Sequence, residues 1–269
     1  MIGVVLCGAC GRMGMAIVRE IVRSGDIRLV AATEAPWSPM IGRDAGEVAG
    51  VGRIGVAVAG AGELGRVMDE ARPDVLVDFT VAGSAIENVR AAAERGVQVV
   101  VGTTGFTAEQ MEEMRRIVER SGITAVISPN MAVGVNVLFE LVERAARLLG
   151  PAYSAEVIEI HHEGKLDSPS GTALRIAEIL SREMGGLEVI AGRRANERRR
   201  GIYVHSLRLG DIVGEHTVVF AGGGERIEIT HRAHGREAFA SGVLRAIRYV
   251  FEHRGMGKVC DMRNVLGLR

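Results

Sequence analysis

Residues 156–174 read E-V-I-E-I-H-H-E-G-K-L-D-S-P-S-G-T-A-L, and the chemistry of the chain starts there. His161 and His162 stand shortly before Lys165, which is followed by Ser170-Gly171-Thr172. Of the 33 Lys+Arg, all but Lys165 and Lys258 are arginine. Arginine is effectively never deprotonated, whereas an ammonium can give up a proton. Lys165 is therefore read as a proton donor beside a bound anion; the plain alternative is a solvated turn lysine. The two histidines end a predicted strand, so their rings leave on opposite faces and only one faces a given cleft. Adjacent histidines are poor metal spacing, and with no third ligand near in sequence no metal site is expected. Ser170-Gly171-Thr172 follows Pro169 at a predicted helix start, where backbone amides and hydroxyls suit a carboxylate.

A second constellation lies at the other end of the chain. Gly8, Gly11 and Gly14 form G-x-x-G-x-x-G directly after the apolar run 2–7. Glycines there permit a tight strand-to-helix turn and bring a pyrophosphate to the helix amino terminus, at Arg12 and Met13. Glu34 ends the next apolar run, where a carboxylate takes ribose hydroxyls. It is followed by Ala35, not by arginine. That carboxylate disfavours a 2′-phosphate, and Arg12 is the cation that could offset it. NADH is expected over NADPH, with NADPH still possible. Gly102-Thr103-Thr104-Gly105 and Asp78-Phe79-Thr80 fall just past predicted strand ends, the edge where open parallel sheets bind ligands. They are candidates for the nicotinamide pocket, against ordinary turns. A nicotinamide and a proton-donating lysine beside an anion site describe a reduction: hydride from the cofactor, proton from the protein.

These residues need a scaffold. Apolar runs at 2–7, 29–33, 74–79, 97–101 and 123–127 alternate with helical spacing at 15–23, 62–70, 84–95 and 107–120, which predicts a doubly wound parallel sheet of Rossmann type. Thr107 and Gln110 have capping-box spacing. Residues 35–55 show no clear periodicity and are read as a long loop or flap, with a short strand at 56–58. The pattern changes near Pro129: helix 133–149, strand 155–161, helix 170–184, then strands 203–209, 216–221 and 226–231 without helices between them. That succession predicts an α+β domain with a mostly antiparallel mixed sheet. The division is residues 1–129 with 237–269 for the nucleotide, and 130–236 for substrate and oligomerisation.

Composition excludes other classes. The 269 residues are 47% hydrophobic and 25% charged with zero formal net charge, so no nucleic-acid partner is indicated. The arginine-rich residues 193–200 carry no interleaved aromatics and are read as a solvated loop. No signal peptide or membrane span is read, and three cysteines suggest no disulfide framework; a cytoplasmic location is expected. Cys7 and Cys10 form C-x-x-C inside the glycine turn and are read as packing residues.

The segments G-A-C-G-R-M-G, G-T-T-G, S-P-N-M-A-V-G-V-N, E-I-H-H-E-G-K-L-D-S-P-S-G-T-A, G-D-I-V-G-E-H-T-V-V-F and E-R-I-E-I-T-H-R-A resemble, in order and spacing, the bacterial dihydrodipicolinate (4-hydroxy-tetrahydrodipicolinate) reductases. The resemblance runs from Gly3 to about residue 266, and H-H-x-x-K-x-D-x-P-S-G-T is its specific part. It implies NAD(P)H-dependent reduction of 4-hydroxy-tetrahydrodipicolinate to tetrahydrodipicolinate, with loss of water, in diaminopimelate and lysine synthesis. It implies Lys165 as proton donor and His161 as its acid–base partner. His162, Lys165, Ser170, Gly171 and Thr172 would hold the carboxylates of a small dicarboxylate substrate. Gly102, Thr103 and Thr104 with Ser128, Pro129, Asn130 and Met131 would meet the nicotinamide end. It also implies a homotetramer built through the second-domain sheet and a hinge that closes on ligands. Val81-Ala82 stands where many members carry Arg or His with Pro, so no cofactor contact is assigned at Val81. Aspartate-semialdehyde dehydrogenases share the two-domain plan but need a mid-chain cysteine, and none lies between Cys10 and Cys260. A relative of the same fold with altered or lost catalysis is the alternative.

Overall fold

The computed structural model describes residues 1–268 apart from Ala195, Glu197 and Arg198, so part of the arginine-rich loop reading lies outside the described residues. The first apolar run is β1 (Ile2–Cys7), buried at every position, and the glycine turn leads into α1 (Arg12–Arg23). There follow β2 (Ile27–Glu34), α2 (Ala45–Ala49), β3 (Val58–Gly60), α3 (Leu64–Ala71), β4 (Val75–Asp78), α4 (Ala82–Ala93), β5 (Gln98–Val101), α5 (Ala108–Ser121) and β6 (Thr124–Ile127). After α6 (Val133–Leu149) come β7 (Ser154–His161), α7 (Gly171–Glu183), β8 (Val189–Ala191), β9 (Ile202–Arg208), β10 (Gly214–Gly222) and β11 (Glu225–Ala233). The chain ends through α8 (Glu237–Glu252), β12 (Lys258–Cys260) and α9 (Met262–Val265).

Two compact units result: Met1–Val133 with Phe239–Arg269, and Gly134–Ala238. The first is the doubly wound sheet expected from the alternation. Its strands run β12-β6-β5-β4-β1-β2-β3, all pairings parallel. Alternate residues of one strand feed opposite cores, because side chains alternate across a sheet. Val4 and Leu6 join the layer containing Ile17, Val243 and Ile247, while Val5 and Cys7 join the layer containing Leu64, Val89, Met114 and Val118. The expected capping box forms: Gln110 N–H donates to Thr107 Oγ1, and Thr107 N–H donates to Gln110 Oε1.

Three elements of this unit differ from expectation. Residues 35–55 are not one long loop. Asp44 caps α2 and its carboxylate accepts backbone N–H groups of Gly46, Glu47, Ile54, Gly55 and Val56, folding the segment around one side chain. The short strand falls at Val58–Gly60, not 56–58, where its residues pair with Ala32, Thr33 and Glu34. β12 was not expected; it adds a seventh strand beside β6.

The second unit is a mixed sheet ordered β11-β10-β7-β9-β8. Pairings of β10 with β11 and β7 are antiparallel; those of β9 with β7 and β8 are parallel. α7 crosses from β7 to β8, so both strands run the same way, with β9 parallel between them. Helices α6 and α7 cover one face through Leu138, Val142, Ala146, Ile176, Ala177 and Leu180 packed on Val157, Val204, Val218 and Phe220.

Candidate active site

In the first unit, β1 lies between β2 and β4, so the strand order reverses at its carboxyl end. Doubly wound sheets bind ligands in the crevice at such a point. The glycine turn sits there. Gly8 has φ +80°, and a Cβ on it would lie 2.6 Å from the Phe79 carbonyl oxygen. A Cβ on Gly14 would lie 2.1 Å from the Gly8 carbonyl oxygen. Side chains at either position would break the strand-to-helix passage. Gly11 N-caps α1 with no side-chain cap, and the first turn holds no carboxylate. The amides of exposed Arg12, half-buried Met13 and buried Gly14 thus open a helix whose positive end suits a pyrophosphate. Glu34 ends β2 and is clamped to this turn: Cys10 N–H donates to its Oε2 at 2.8 Å and Ala35 N–H to its Oε1 at 2.9 Å. A carboxylate oxygen has two lone pairs, so both can still accept a ribose hydroxyl. The residues present fit a dinucleotide.

Cys7 and Cys10 are free thiols. Burial, with Glu34 nearby, pushes Cys10 up to about 11, and burial pushes Cys7 higher still. Neither favours the thiolate that redox exchange uses.

At the ends of β4 and β5 the structure adds a buried anchor. Asp78 accepts the Thr103 hydroxyl at 2.6 Å, the Thr80 hydroxyl at 2.9 Å and the Asn88 amide at 2.7 Å. The Thr103 oxygen in turn accepts Thr80 N–H at 2.9 Å. Thr103 is therefore buried and spent on tying two strand ends together. The Phe79 ring lies against the backbone of Gly102, where an added Cβ would come within 2.2 Å of it. Thr104 and Pro129 are exposed; Phe79, Gly102 and Asn130 are half-buried. Ser128 donates to the Asn130 carbonyl at 2.9 Å, and Asn130 Oδ1 accepts Ala132 N–H at 2.9 Å. Met131 is buried in the unit's core.

In the second unit, β7 alternates, so Glu159 and His161 share its buried face. Sheet register then assembles a cluster from distant sequence. Arg208 of β9 pairs with His161, and His216 of β10 pairs with Glu159. Glu159 is fully buried and contacts His161 Nδ1. Arg208 grips both its oxygens, Nη1 to Oε2 and Nη2 to Oε1, each at 3.0 Å. Ser170 N–H donates to Oε1 at 3.2 Å. Burial works against the Glu159 anion, but the bonds from Arg208 and His161 outweigh it and hold the carboxyl below its ordinary value. His216 packs edge-on against His161, ring centroids 5.2 Å apart, and burial brings it down to about 3. Burial lowers His161 as well, against the pull of Glu159.

His162 lies just past the strand and is half-buried. Lys165 N–H returns to the His162 carbonyl at 3.1 Å, and its ammonium meets Asp167 Oδ1 at 2.8 Å. Its side chain is 23% exposed. Ser170 is buried as the N-cap of α7: its hydroxyl accepts Ala173 N–H and contacts His216 Nε2, each at 3.2 Å. Sequence reasoning placed Ser170 at the anion site but missed what its hydroxyl already does. Gly171 and Thr172, exposed and half-buried, form the first turn. Sequence reasoning also missed Glu159, Arg208 and His216. The one local signal was Glu159 two residues before His161, the spacing that puts both on one strand face. Among the described residues no group of three or more His, Cys, Asp or Glu is placed to hold a metal ion, and no helix is long and apolar enough to cross a membrane.

A doubly wound unit with a glycine turn and a carboxylate clamped beside it, joined to a unit carrying an ammonium and an anchored imidazole, defines a nucleotide-dependent oxidoreductase. Comparison with known proteins identifies which kind. Residues 2–131 match the family model for the dihydrodipicolinate reductase N-terminus and residues 134–266 that for its C-terminus. The chain belongs to the dihydrodipicolinate reductase family. It is 50% identical to the 4-hydroxy-tetrahydrodipicolinate reductase of Methanothermobacter thermautotrophicus, covering 100% of both chains. It is 48% identical to that of Methanocaldococcus jannaschii, covering 100% of this chain and 98% of the relative. A dipicolinate-bound dihydrodipicolinate reductase from Paenisporosarcina sp. TG-14 superposes with a TM-score of 0.80 at 26% identity, over 97% of each chain. An amine dehydrogenase from Mycobacterium smegmatis, 18% identical with a TM-score of 0.61 over 94% of this chain and 93% of its own, shares the fold.

Proposed function

We propose that this chain reduces 4-hydroxy-tetrahydrodipicolinate to tetrahydrodipicolinate in diaminopimelate and lysine synthesis. The substrate loses water and gains one hydride and one proton, so one reduced nicotinamide nucleotide is consumed per turnover. Relatives of this name at 50% and 48% identity over the whole chain support the reading. The observation that carries its chemistry is an ammonium and a carboxylate-anchored imidazole, held on one strand and its following loop.

When bound, the nicotinamide supplies the hydride. Lys165 gives the proton, and His161 is its acid–base partner. His162, Lys165, Gly171 and Thr172 hold the carboxylates of the dicarboxylate substrate. Ser170 contributes through its cap on α7, which fixes the first-turn amides. Gly8, Gly11, Arg12, Met13 and Gly14 receive the pyrophosphate, and Glu34 the ribose. Phe79, Gly102, Thr104 and the 128–131 segment frame the nicotinamide end, with Thr103 setting their backbone. Glu34 followed by Ala35 favours NADH over NADPH. The enzyme works in the cytoplasm as a homotetramer.

The test is oxidation of NADH and of NADPH with substrate freshly generated by the preceding synthase. Turnover with both and a higher kcat/KM for NADH is expected. No oxidation of either above the substrate-free rate would sink the reading; a preference for NADPH would overturn the role given to Glu34 alone.

A further inference from the structure

Arg208 makes more bonds than pairing with one carboxylate requires. Besides its fork on Glu159, Nη2 donates to the Asp167 carbonyl at 2.6 Å and Nε to the Lys165 carbonyl at 3.3 Å. One guanidinium thus holds the carboxylate behind His161 and the backbone of the loop that carries Lys165. A buried ion pair adds little net stability over apolar packing of the same volume. What this one adds is placement. On the far side of the imidazole stands Gly214, the first residue of β10. A Cβ there would lie 3.0 Å from His161 Nε2, so the edge of the ring opposite Glu159 faces a residue without a side chain.

We propose that Glu159 and Arg208 are positioning residues: Glu159 fixes the proton of His161 on Nδ1 and presents Nε2, past bare Gly214, as a hydrogen-bond acceptor, while Arg208 holds the Lys165 loop in register with it. This rests on the reading of His161 and Lys165 as the reacting pair. The charged and titratable groups facing His161 are Glu159 on its own strand, Arg208 on β9, His216 on β10 and Lys165 on the loop. Burial, Lys165 and Arg208 all disfavour an imidazolium there, and Glu159 does not reverse them. His216, brought down to about 3, adds no charge at neutral pH. The labour divides accordingly. Lys165 is the acid, and His161 is a neutral acceptor that orients a donor, either substrate or the Lys165 ammonium.

Glu159→Gln separates placement from packing. The amide oxygen is best used where Arg208 Nη2 and Ser170 N–H both donate, at the Oε1 position. The amide NH₂ then faces His161 Nδ1 and drives the ring proton to Nε2, so the acceptor becomes a donor. The experiment records side-chain ¹⁵N histidine spectra of wild type and Glu159→Gln with NADH bound, alongside kcat, KM and NADH affinity. The expected wild-type signal is a neutral Nδ1–H ring. Expected of the variant are an Nε2–H ring, a kcat lower by about 100-fold, the size of loss a misplaced catalytic group produces, and NADH affinity within about 3-fold of wild type, well under 1 kcal/mol. An unchanged tautomer, or a changed tautomer with near-normal kcat, overturns the proposal. If Glu159→Gln does not fold, Arg208→Lys, which keeps the charge and loses the fork, tests the other half: an unchanged Nδ1–H ring with kcat lower by about 100-fold is expected, and a near-normal kcat overturns the proposal. The wild-type spectrum needs no turnover. An inactive wild type with an Nδ1–H ring would therefore defeat the proposed function and leave the tautomer assignment standing; an Nε2–H or charged ring in an active wild type would defeat the inference alone.

Discussion

Lys165 meets Asp167 at 2.8 Å, yet the Asp167 side chain is 59% exposed. Exposed pairs of this kind contribute little, about 0–1 kcal/mol. Asp167 is held below its ordinary value chiefly by the Lys165 hydrogen bond, so the ammonium already stabilises one carboxylate. An incoming anion can take over that partner at small cost. Lys165→Ala is expected to lose most of kcat with NADH affinity nearly unchanged; near-normal turnover in a steady-state assay would remove Lys165 from the proton-donor role. At this scale the sequence was legible where residues are local. His161, His162 and Lys165 declare themselves by type and by nearness along the chain. Arg208 and His216 lie 47 and 55 residues beyond His161 and reach it only through the register of β9 and β10, which no local spacing encodes.

Among the elements, the segment after Glu34 shows why a stretch without periodicity need not be a loop. Its helix is only Ala45–Ala49, too short to display a 3.6-residue repeat. What organises it is one carboxylate accepting five backbone N–H groups. Burial works against the Asp44 anion, but those backbone bonds outweigh it and its carboxyl stays below the ordinary value. Its contribution is therefore present above the ordinary carboxylate range and lost as pH falls through the depressed value. Asp44→Ala should abolish slow amide exchange at Gly46, Ile54 and Val56 while β1 and β4 stay protected. Hydrogen exchange read residue by residue checks this, and unchanged protection in the segment would show that β3 pairing alone holds it. By contrast α5 was legible to its cap, because Thr107 and Gln110 satisfy orphan amides within one turn of sequence.

For the whole molecule, the two units carry different burdens. The second buries His216 and His161, whose ring values both fall below the ordinary 6.5, His216 to about 3. The unfolded chain then binds protons before the folded one does. Stability supplied by keeping these rings neutral is complete above about pH 6.5 and drains away as pH falls toward about 3. The groups around His216 are His161, Glu159, His231, Lys165 and Ser170, and the Glu159 anion only partly offsets the loss. Thermal unfolding followed from neutral to mildly acid pH should show a falling midpoint, and His216→Phe should flatten the fall. An equally steep fall in that variant would place the acid sensitivity elsewhere.

β12 has a consequence for synthesis. Residues 134–238 form a unit inserted within the sequence of the other. The first unit draws α8 and its seventh strand from the segment beyond that insertion. On a ribosome the first 133 residues emerge with Val4, Leu6 and Ile17 lacking the α8 residues Val243 and Ile247 that cover them. The inserted unit, whole in itself, leaves the exit tunnel before that cover does. The unit encoded second is thus complete in the chain before the unit encoded first, whose apolar layer lacks part of its cover until α8 is made.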